Sequence, residues 1–376
     1  MTAATGTAPT PRRLLVVHSA DEGYGSDRIL TTVIDVLRDR GHHVEVALPD
    51  DSGPGWLSST LRDRGIDVHV VDLGVVRRSS LRWPRIGRLL VAGLAAPVRV
   101  RRLMRRRGLD ALYLNSLALM PLLFLPVVRR RNRWLHCHEI LVSPRAFAIV
   151  ERVAPRFVAH VFAVSHAVRR ALGDAANVTV VHNGIAELPV RREPTATQVV
   201  AFVGRLSEWK GVDDFVEMAG AIDRDDVTFE IAGGAVPGDD SAGRAVVEAC
   251  AGSGGRLRYL GELADTSELI GRSDILVVPS RRPDPYPTVV LEGMRAGCVV
   301  VATDGGGAAE AIRDGVDGFL VPMGDPNTLA TVTTAVLDDP DLAARISAAA
   351  QTTFATQHSL AAFSERLASA FTQEGL

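Results

Sequence analysis

Lysine is almost missing from this chain. Of 42 basic residues, only Lys210 is a lysine. Cysteine is scarce too: Cys137, Cys250 and Cys298 stand far apart. Three such residues form no metal-ligand pattern and cannot all pair, so free thiols in a reducing, cytoplasmic compartment are expected. Gly and Pro, at 34 and 20, are too few for a fibrous or low-complexity protein. The first residues, MTAATGTAPTPRR, hold no apolar core of a secretory signal and read as a flexible tail over 1–13. No run reaches the roughly 20 apolar residues of a membrane span. The most apolar stretch, Ala111–Val128, is broken by Asn115, Pro121 and Pro126 and closed by Arg129, Arg130, Arg131 and Arg133. It reads as a buried strand, Ala111–Ser116, followed by a buried helix. No G-x-G-x-x-G follows an early strand with an acid about 20 residues on, which excludes a nicotinamide oxidoreductase of the usual kind. A Walker A loop is missing as well. Asp223–Asp225 and Asp339–Asp341 have D-x-D spacing, but they fall at a helix end and a helix–helix junction, so no metal site is assigned.

What is present is an ordinary globular composition, 47% apolar and 23% charged over 376 residues. That excludes a largely disordered chain and suggests two domains. The net charge of −2 conceals an asymmetry. Residues 77–107 contain Arg77, Arg78, Arg82, Arg85, Arg88, Arg99, Arg101, Arg102, Arg105, Arg106 and Arg107, and no acid. The remaining chain carries 31 basic and 44 acidic side chains. Two readings of this belt stand side by side. It could face an anionic membrane, each charge adding on the order of 1 kcal/mol, with Trp83, Leu89 and Leu90 dipping into the interface. The alternative is a solvated helix face in an Arg-rich proteome, and the membrane reading is preferred. Nucleic acid is disfavoured, because only Trp83 could stack on a base.

Short β-type runs alternate with helical patterns from end to end. Leu14–Ser19 is followed by Ile29, Leu30, Val33, Ile34 and Leu37 at helical spacing, with Gly41 as the stop. His43–Leu48, Asp67–Leu73, Ala111–Ser116, Trp134–His138, His160–Ser165 and Val178–His182 continue as strands. The series restarts with Val199–Val203, Val227–Ala232, Arg258–Leu260, Ile275–Pro279, Val299–Ala302 and Phe319–Val321. Strands separated by helices imply a parallel sheet covered on both faces. Two series predict an α/β protein of two facing Rossmann-like domains, over 14–185 and 198–355. Asn183–Thr197 is the expected linker. A C-terminal helical segment, 356–376, is expected to pack back toward the N-terminal domain.

Ligands of such sheets bind beyond the carboxyl ends of the strands, so the loops there carry the chemistry. The first, Ser19 to Arg28, contains Gly23 and Gly25 ahead of a helix N-terminus, a setting that favours anions. Gly204-Arg-Leu-Ser-Glu-Trp-Lys-Gly211 sets Arg205 and Lys210 between a strand and a helix. A guanidinium fork and an ammonium there would clamp a diphosphate. The segment Val277–Gly297 holds Asp284 in a Pro-rich loop and Glu292 eight residues on, within an apolar helix. Two carboxylates so placed can hold different hydroxyls of one ligand, and Glu292, expected to be buried, would need partners. Gly305-Gly-Gly307 then follows a strand and permits close backbone approach to a ligand.

These residues together resemble the retaining nucleotide-sugar glycosyltransferases of family 4, with the GT-B fold. The likeness rests on Asp284 to Gly297 as the family's E-x7-E element, Gly306-Gly-Ala-Ala-Glu310 as its GGxxE loop, and Gly204 to Gly211 as its phosphate loop. Gly25 with Asp27-Arg28, His138-Glu139, Val164–Val168 and His182-Asn-Gly184 extend it over roughly 14–370. The resemblance implies that Arg205 and Lys210 bind the donor diphosphate and stabilise the leaving group. It implies that Glu292 holds the ribose, that Asp284 contacts the sugar, and that amides around Tyr286, Pro287, Thr288 and Val289 meet the phosphates. Gly25 would leave room for the diphosphate, His138 would lie near the reacting sugar, and Gly234, Glu262 and Leu263 would frame the base. Asp284 stands where the family usually has Glu, which leaves the donor sugar open. The implied reaction is metal-independent hexosyl transfer from a UDP- or GDP-sugar to a hydroxyl of a lipid-linked, glycan or small-molecule acceptor, with no cofactor. Cell-envelope glycan assembly, peripheral on the inner face of the plasma membrane, would suit the arginine belt. An epimerase of the same fold and a non-catalytic nucleotide-sugar-binding subunit are the alternatives. A phosphorylase would need a lysine to anchor its cofactor, and the sole lysine already has a role.

Overall fold

The computed structural model describes residues 10–23, 25–50, 55–75, 85–125, 127–140, 145–187, 197–235 and 240–376, with the backbone alone for 85–90 and 145–147. Arg77, Arg78, Arg82 and Trp83, most of the expected linker and most of the N-terminal tail lie outside them. The chain divides into two compact units, one of residues up to Asn183 together with Phe363–Leu376, the other Gly184–Ala362.

The first unit contains β1 (Arg13–Val17), β2 (His43–Pro49), β3 (Val68–Val71), β4 (Ala111–Leu114), β5 (Arg133–Cys137), β6 (His160–Ala163) and β7 (Val178–Val180). They form one parallel sheet in the order β3-β2-β1-β4-β5-β6-β7. Leu14 to Val17 are all fully buried. A parallel strand covered on both faces must be a continuous apolar run, and this one is. The order reverses between β1 and β4. There Val17 pairs with Leu114, and Asn115 N–H donates to Val17 O at 2.9 Å. The loops beyond those two strands therefore begin side by side. The apolar stretch after β4 forms a 3₁₀ turn, Leu117–Leu119, and a short helix, Met120–Phe124, that buries Leu122 and Leu123. Pro121 in its first turn costs nothing, since that N–H has no helical partner.

The second unit contains β8 (Gln198–Val203), β9 (Val227–Ala232), β10 (Leu257–Tyr259), β11 (Ile275–Val278), β12 (Val299–Thr303) and β13 (Phe319–Val321). Their order is β10-β9-β8-β11-β12-β13, again all parallel, with the reversal between β8 and β11. Its core gathers Phe202, Phe215, Met218, Phe229, Val277, Val301 and Leu329. Of the D-x-D pairs, the Asp223 side chain is fully exposed, and Asp339 accepts from Leu342 N–H at 2.9 Å, capping the helix Pro340–Thr353.

The last helix, Leu360–Gln373, ends the chain inside the core of the first unit. Phe363, Leu367, Phe371 and Leu376 are fully buried there with Tyr113, Trp134 and Phe162. The Phe371 ring stands 5.0 Å from Phe162 and 6.1 Å from Tyr113, both edge-on, the arrangement that aromatic quadrupoles favour.

Candidate functional site

In the second unit the loop after β8 meets the loop after β11, at the reversal of strand order. Gly211 has φ of 71°, and a Cβ there would lie 1.9 Å from Pro279 O. Only glycine fits, and the contact presses the two loops together. Ser207 caps the short turn by accepting from Lys210 N–H. Lys210 Nζ is 2.5 Å from Asp284 Oδ2 and 4.6 Å from the centroid of Trp209. Arg205 is exposed on the same loop. Among the residues proposed from sequence, Lys210 and Asp284 are thus in direct contact.

Arg281 was not anticipated. Its guanidinium donates to Asp214 at 2.9 and 2.6 Å, and its N–H donates to Trp209 O at 2.9 Å. Asp214, 1% exposed, lies in the helix Val212–Ala221. Arg281 therefore ties the Pro-rich loop to the phosphate loop and its helix, and the pair with Asp214 holds its guanidinium above its ordinary pKa. The acidic pair Asp213-Asp214 directly after the Lys210-Gly211 turn was the available signal.

The glycine run after β12 closes on the protein itself. A Cβ on Gly306, whose φ is 63°, would lie 2.1 Å from Asp284 O, and one on Gly307 2.3 Å from Pro285 O. Gly307 N–H donates to Asp284 O at 2.7 Å. The close approach expected toward a ligand is, at these two positions, toward the backbone that carries Asp284. The next helix, Thr288–Ala296, starts after Pro287 and ends at Gly297 with φ of 78°. Tyr286 is buried, with its hydroxyl 3.3 Å from His358 Nδ1. Val290, Leu291 and Met294 are buried, whereas Thr288, Val289 and Glu292 share a half-exposed side. The expectation of a buried Glu292 is corrected here, because a 3.6-residue period turns positions 288 and 292 away from 290, 291 and 294. Gly234 meets Glu262: a Cβ there would lie 2.6 Å from its Oε2, so the carboxylate end packs against the glycine. Leu263 follows, partly exposed.

In the first unit Gly25 opens the helix Gly25–Asp39, and Asp27 lies in its first turn, fully buried. Asp27 Oδ2 accepts from the N–H groups of Glu22 and Gly23 at 2.8 and 2.7 Å. Its Oδ1 stands 2.7 Å from His18 Nε2. Asn115 Nδ2 is 3.0 Å from His18 Nδ1, and Asn115 Oδ1 is 3.2 Å from His138 Nε2. The His138 ring tilts over His136 at 4.2 Å. Burial of the ring, with His136 and His18 nearby, holds His138 well below the usual histidine range. Glu139 accepts from Ser116 Oγ, Leu117 N–H and His138 N–H. Burial nonetheless raises its carboxyl above the ordinary pKa. His18 and Asn115 escaped the sequence reading as site residues, and Asp27 entered only with the Gly25 loop, because no short motif joins the three.

The arginine belt is divided. Arg85 and Arg88 begin the helix Arg85–Arg107. Arg99 pairs with Asp72 at 3.0 Å, and Arg107 pairs with Glu45 at 2.9 Å and with Asp67. Both guanidinium groups are paired with acids of the first unit, while their side chains stay 41% and 42% exposed. Arg101, Arg102, Arg105 and Arg106 are exposed. So are Val91, Leu94 and Val98, at 68%, 69% and 60%. Among the described residues no helix is long and apolar enough to cross a membrane.

Two family models match the chain. Glycosyl transferases group 1 covers residues 197–339, and a glycosyl transferase 4-like domain covers 25–184. Alpha-D-kanosaminyltransferase of Streptomyces kanamyceticus is 31% identical over 198 residues, 51% of this chain and 50% of that protein. Glycogen synthase of Mycobacterium tuberculosis is 34% identical over 187 residues, 47% and 44% of the two chains. The chain thus spans about half the length of the curated relatives it matches. In structure, HepE of Anabaena in complex with UDP and glucose superposes with a TM-score of 0.80 at 23% identity, over 96% of this chain and all of that one.

Proposed function

This chain belongs to the GT4-type glycosyltransferases of GT-B fold, and from that premise we propose that it moves a hexose-type sugar from a UDP- or GDP-sugar to an acceptor hydroxyl with retention of anomeric configuration. One observation carries the reading: Lys210 and Asp284 meet where the second sheet reverses its strand order, and Arg205 stands exposed on the same loop as Lys210. That is the position at which open α/β sheets bind nucleotides.

The bond between the anomeric carbon and the phosphate oxygen breaks as charge grows on the diphosphate. Arg205 and Lys210 stabilise that charge without a metal ion. The acceptor oxygen bonds to the anomeric carbon on the face the diphosphate leaves. Its proton passes to the leaving phosphate oxygen, and the products are a glycoside and a nucleoside diphosphate. Glu292 holds the ribose, and Gly234, Glu262 and Leu263 frame the base. Asp284 contacts sugar hydroxyls once the diphosphate has drawn Lys210 away. UDP-glucose is the first donor to test, because the structurally similar HepE was crystallised in complex with that molecule.

The acceptor is a lipid-linked, glycan or metabolite hydroxyl. An acceptor at an anionic membrane surface suits the helix Arg85–Arg107. Val91, Leu94 and Val98 stand exposed at three- and four-residue steps, and Arg101 and Arg105 continue the stripe.

Thermal unfolding with UDP, GDP and ADP, repeated on Lys210→Ala, tests the donor site. A nucleotide at 100 times its Kd adds about 2.7 kcal/mol of stability. A shift with one nucleotide that the variant loses supports the reading. A shift that survives the substitution removes Lys210 from the diphosphate.

A further inference from the structure

His18, Asp27 and Asn115 form a buried polar line at the carboxyl ends of β1 and β4 that ends on His138 beyond β5. They are 1%, 0% and 0% exposed. The line has a direction. Burial works to raise the Asp27 pKa, but the His18 contact and the amides of Gly23 and Glu22 outweigh it and hold the carboxyl below its ordinary value. An ionised carboxylate only accepts, so His18 Nε2 donates to Asp27 Oδ1 across 2.7 Å. Asn115 Nδ2 faces His18 Nδ1 at 3.0 Å, and because an amide nitrogen only donates, Nδ1 accepts. This turns the amide so that Oδ1 faces His138 Nε2 at 3.2 Å. A carbonyl oxygen cannot donate, so the proton of His138 sits on Nε2 and the lone pair on Nδ1. The Asn115 amide, with Nδ2 toward His18 and Oδ1 toward His138, sets the direction of the line between the carboxylate and His138.

We infer that Asp27 is a positioning residue which, through His18 and Asn115, fixes His138 in the Nε2–H tautomer and so presents Nδ1 as a hydrogen-bond acceptor for a substrate hydroxyl. The role toward substrate rests on the proposed transferase reaction; the tautomer does not. The chemistry selects its ligand. A neutral ring that offers a lone pair on Nδ1 accepts from a sugar or acceptor hydroxyl and repels a phosphate oxygen, which is itself an acceptor. The same Asp27 carboxylate holds the amides of Glu22 and Gly23, so one group sets both the glycine loop and the histidine.

Buried polar groups need partners whatever their function, so stability alone cannot separate positioning from packing. The ring nitrogens of His138 can. In the full chain labelled with ¹⁵N, and assigned with His138→Gln, Nε2 is expected to carry the proton and Nδ1 to be the unprotonated nitrogen. Asp27→Asn should mix the two tautomers. Asn115→Leu, which cuts the line while leaving Asp27 and His18 in place, should do the same and serves if the first variant fails to fold. A proton on Nδ1 in the wild type overturns the inference, as does a wild-type tautomer retained in both variants. With a donor that turns over, Asp27→Asn should lower kcat by about 10–100-fold, the loss typical when a group orienting a functional histidine is removed, with KM for the donor unchanged. A shifted tautomer with full kcat overturns the positioning role. Absence of turnover in the wild type with every donor would instead count against the transferase reading and leave the tautomer result standing.

Discussion

Lys210 Nζ lies 2.5 Å from Asp284 Oδ2, so the chain's sole lysine is neutralised by the carboxylate that stands where the family usually has a glutamate. A diphosphate must compete with Asp284 for this ammonium. Asp284→Asn should therefore bind UDP or GDP more tightly than the wild type, while Lys210→Ala binds more weakly. Sugar transfer by Asp284→Asn should fall about 100-fold, as when one stabilising contact to a reacting group is lost. Nucleotide titration calorimetry beside a transfer assay separates the two effects. Weaker nucleotide binding in Asp284→Asn would show that the pair is not a competitor.

Glu45 is fully buried on β2, next to the edge strand β3, and accepts from His43 at 3.0 Å, His69 at 2.7 Å and Arg107 at 2.9 Å. Burial would raise its pKa, but hydrogen bonds from Arg107, His43 and His69 bring it down to about 2. A depressed carboxylate adds stability that is complete above its unfolded value and is lost as pH falls through the folded one. The window is therefore from about pH 4.5 down to about 2. Denaturant titrations should show wild type more stable than Glu45→Gln by about 2–3 kcal/mol at neutral pH, with the gap closing across that window. A gap independent of pH would contradict the assignment.

Phe371 is fully buried against Phe162 and Tyr113, although it lies close to the C-terminal Leu376. Phe371→Ala should cost the first unit about 3–5 kcal/mol. Unfolding followed by hydrogen exchange should show the loss in β1, β4 and β6, with the second unit unaffected. Equal loss in both units would place the effect elsewhere.

Val91, Leu94 and Val98 form an exposed apolar stripe on a helix that carries exposed Arg101, Arg102, Arg105 and Arg106. If this side meets an anionic bilayer, Leu94→Glu with Val98→Glu should reduce sedimentation with phosphatidylglycerol vesicles about tenfold or more. Added salt should weaken the wild type, since the arginine contribution is screened. Binding to neutral phosphatidylcholine vesicles that matches the anionic ones would remove the arginines from the interaction.

Much of this protein is written locally. Strands buried on both faces favour continuous apolar runs, so β1, β8, β11 and β12 could be read directly from the chain, as could the loops that follow them. Arg205, Lys210 and Asp284 could be named as candidates because a strand, a short loop with charges and a helix are contiguous. Strand ends were less sharp. β3 covers only Val68–Val71, and β4 stops at Leu114, where Asn115 leaves the strand for the polar line. The side of Glu292 was misjudged because an apolar helix does not say which of its residues lie on the open stripe.

Only the tertiary structure decided how distant residues meet. Asn115 reaches His18 across 97 positions because β4 lies beside β1, and Arg281 reaches Asp214 across 67 because β11 lies beside β8. Composition and periodicity record whether a segment is buried, but not which neighbour buries it. Strand order comes from packing over the whole chain, and with it come the partner of Lys210 and the contact between Asn115 and His138.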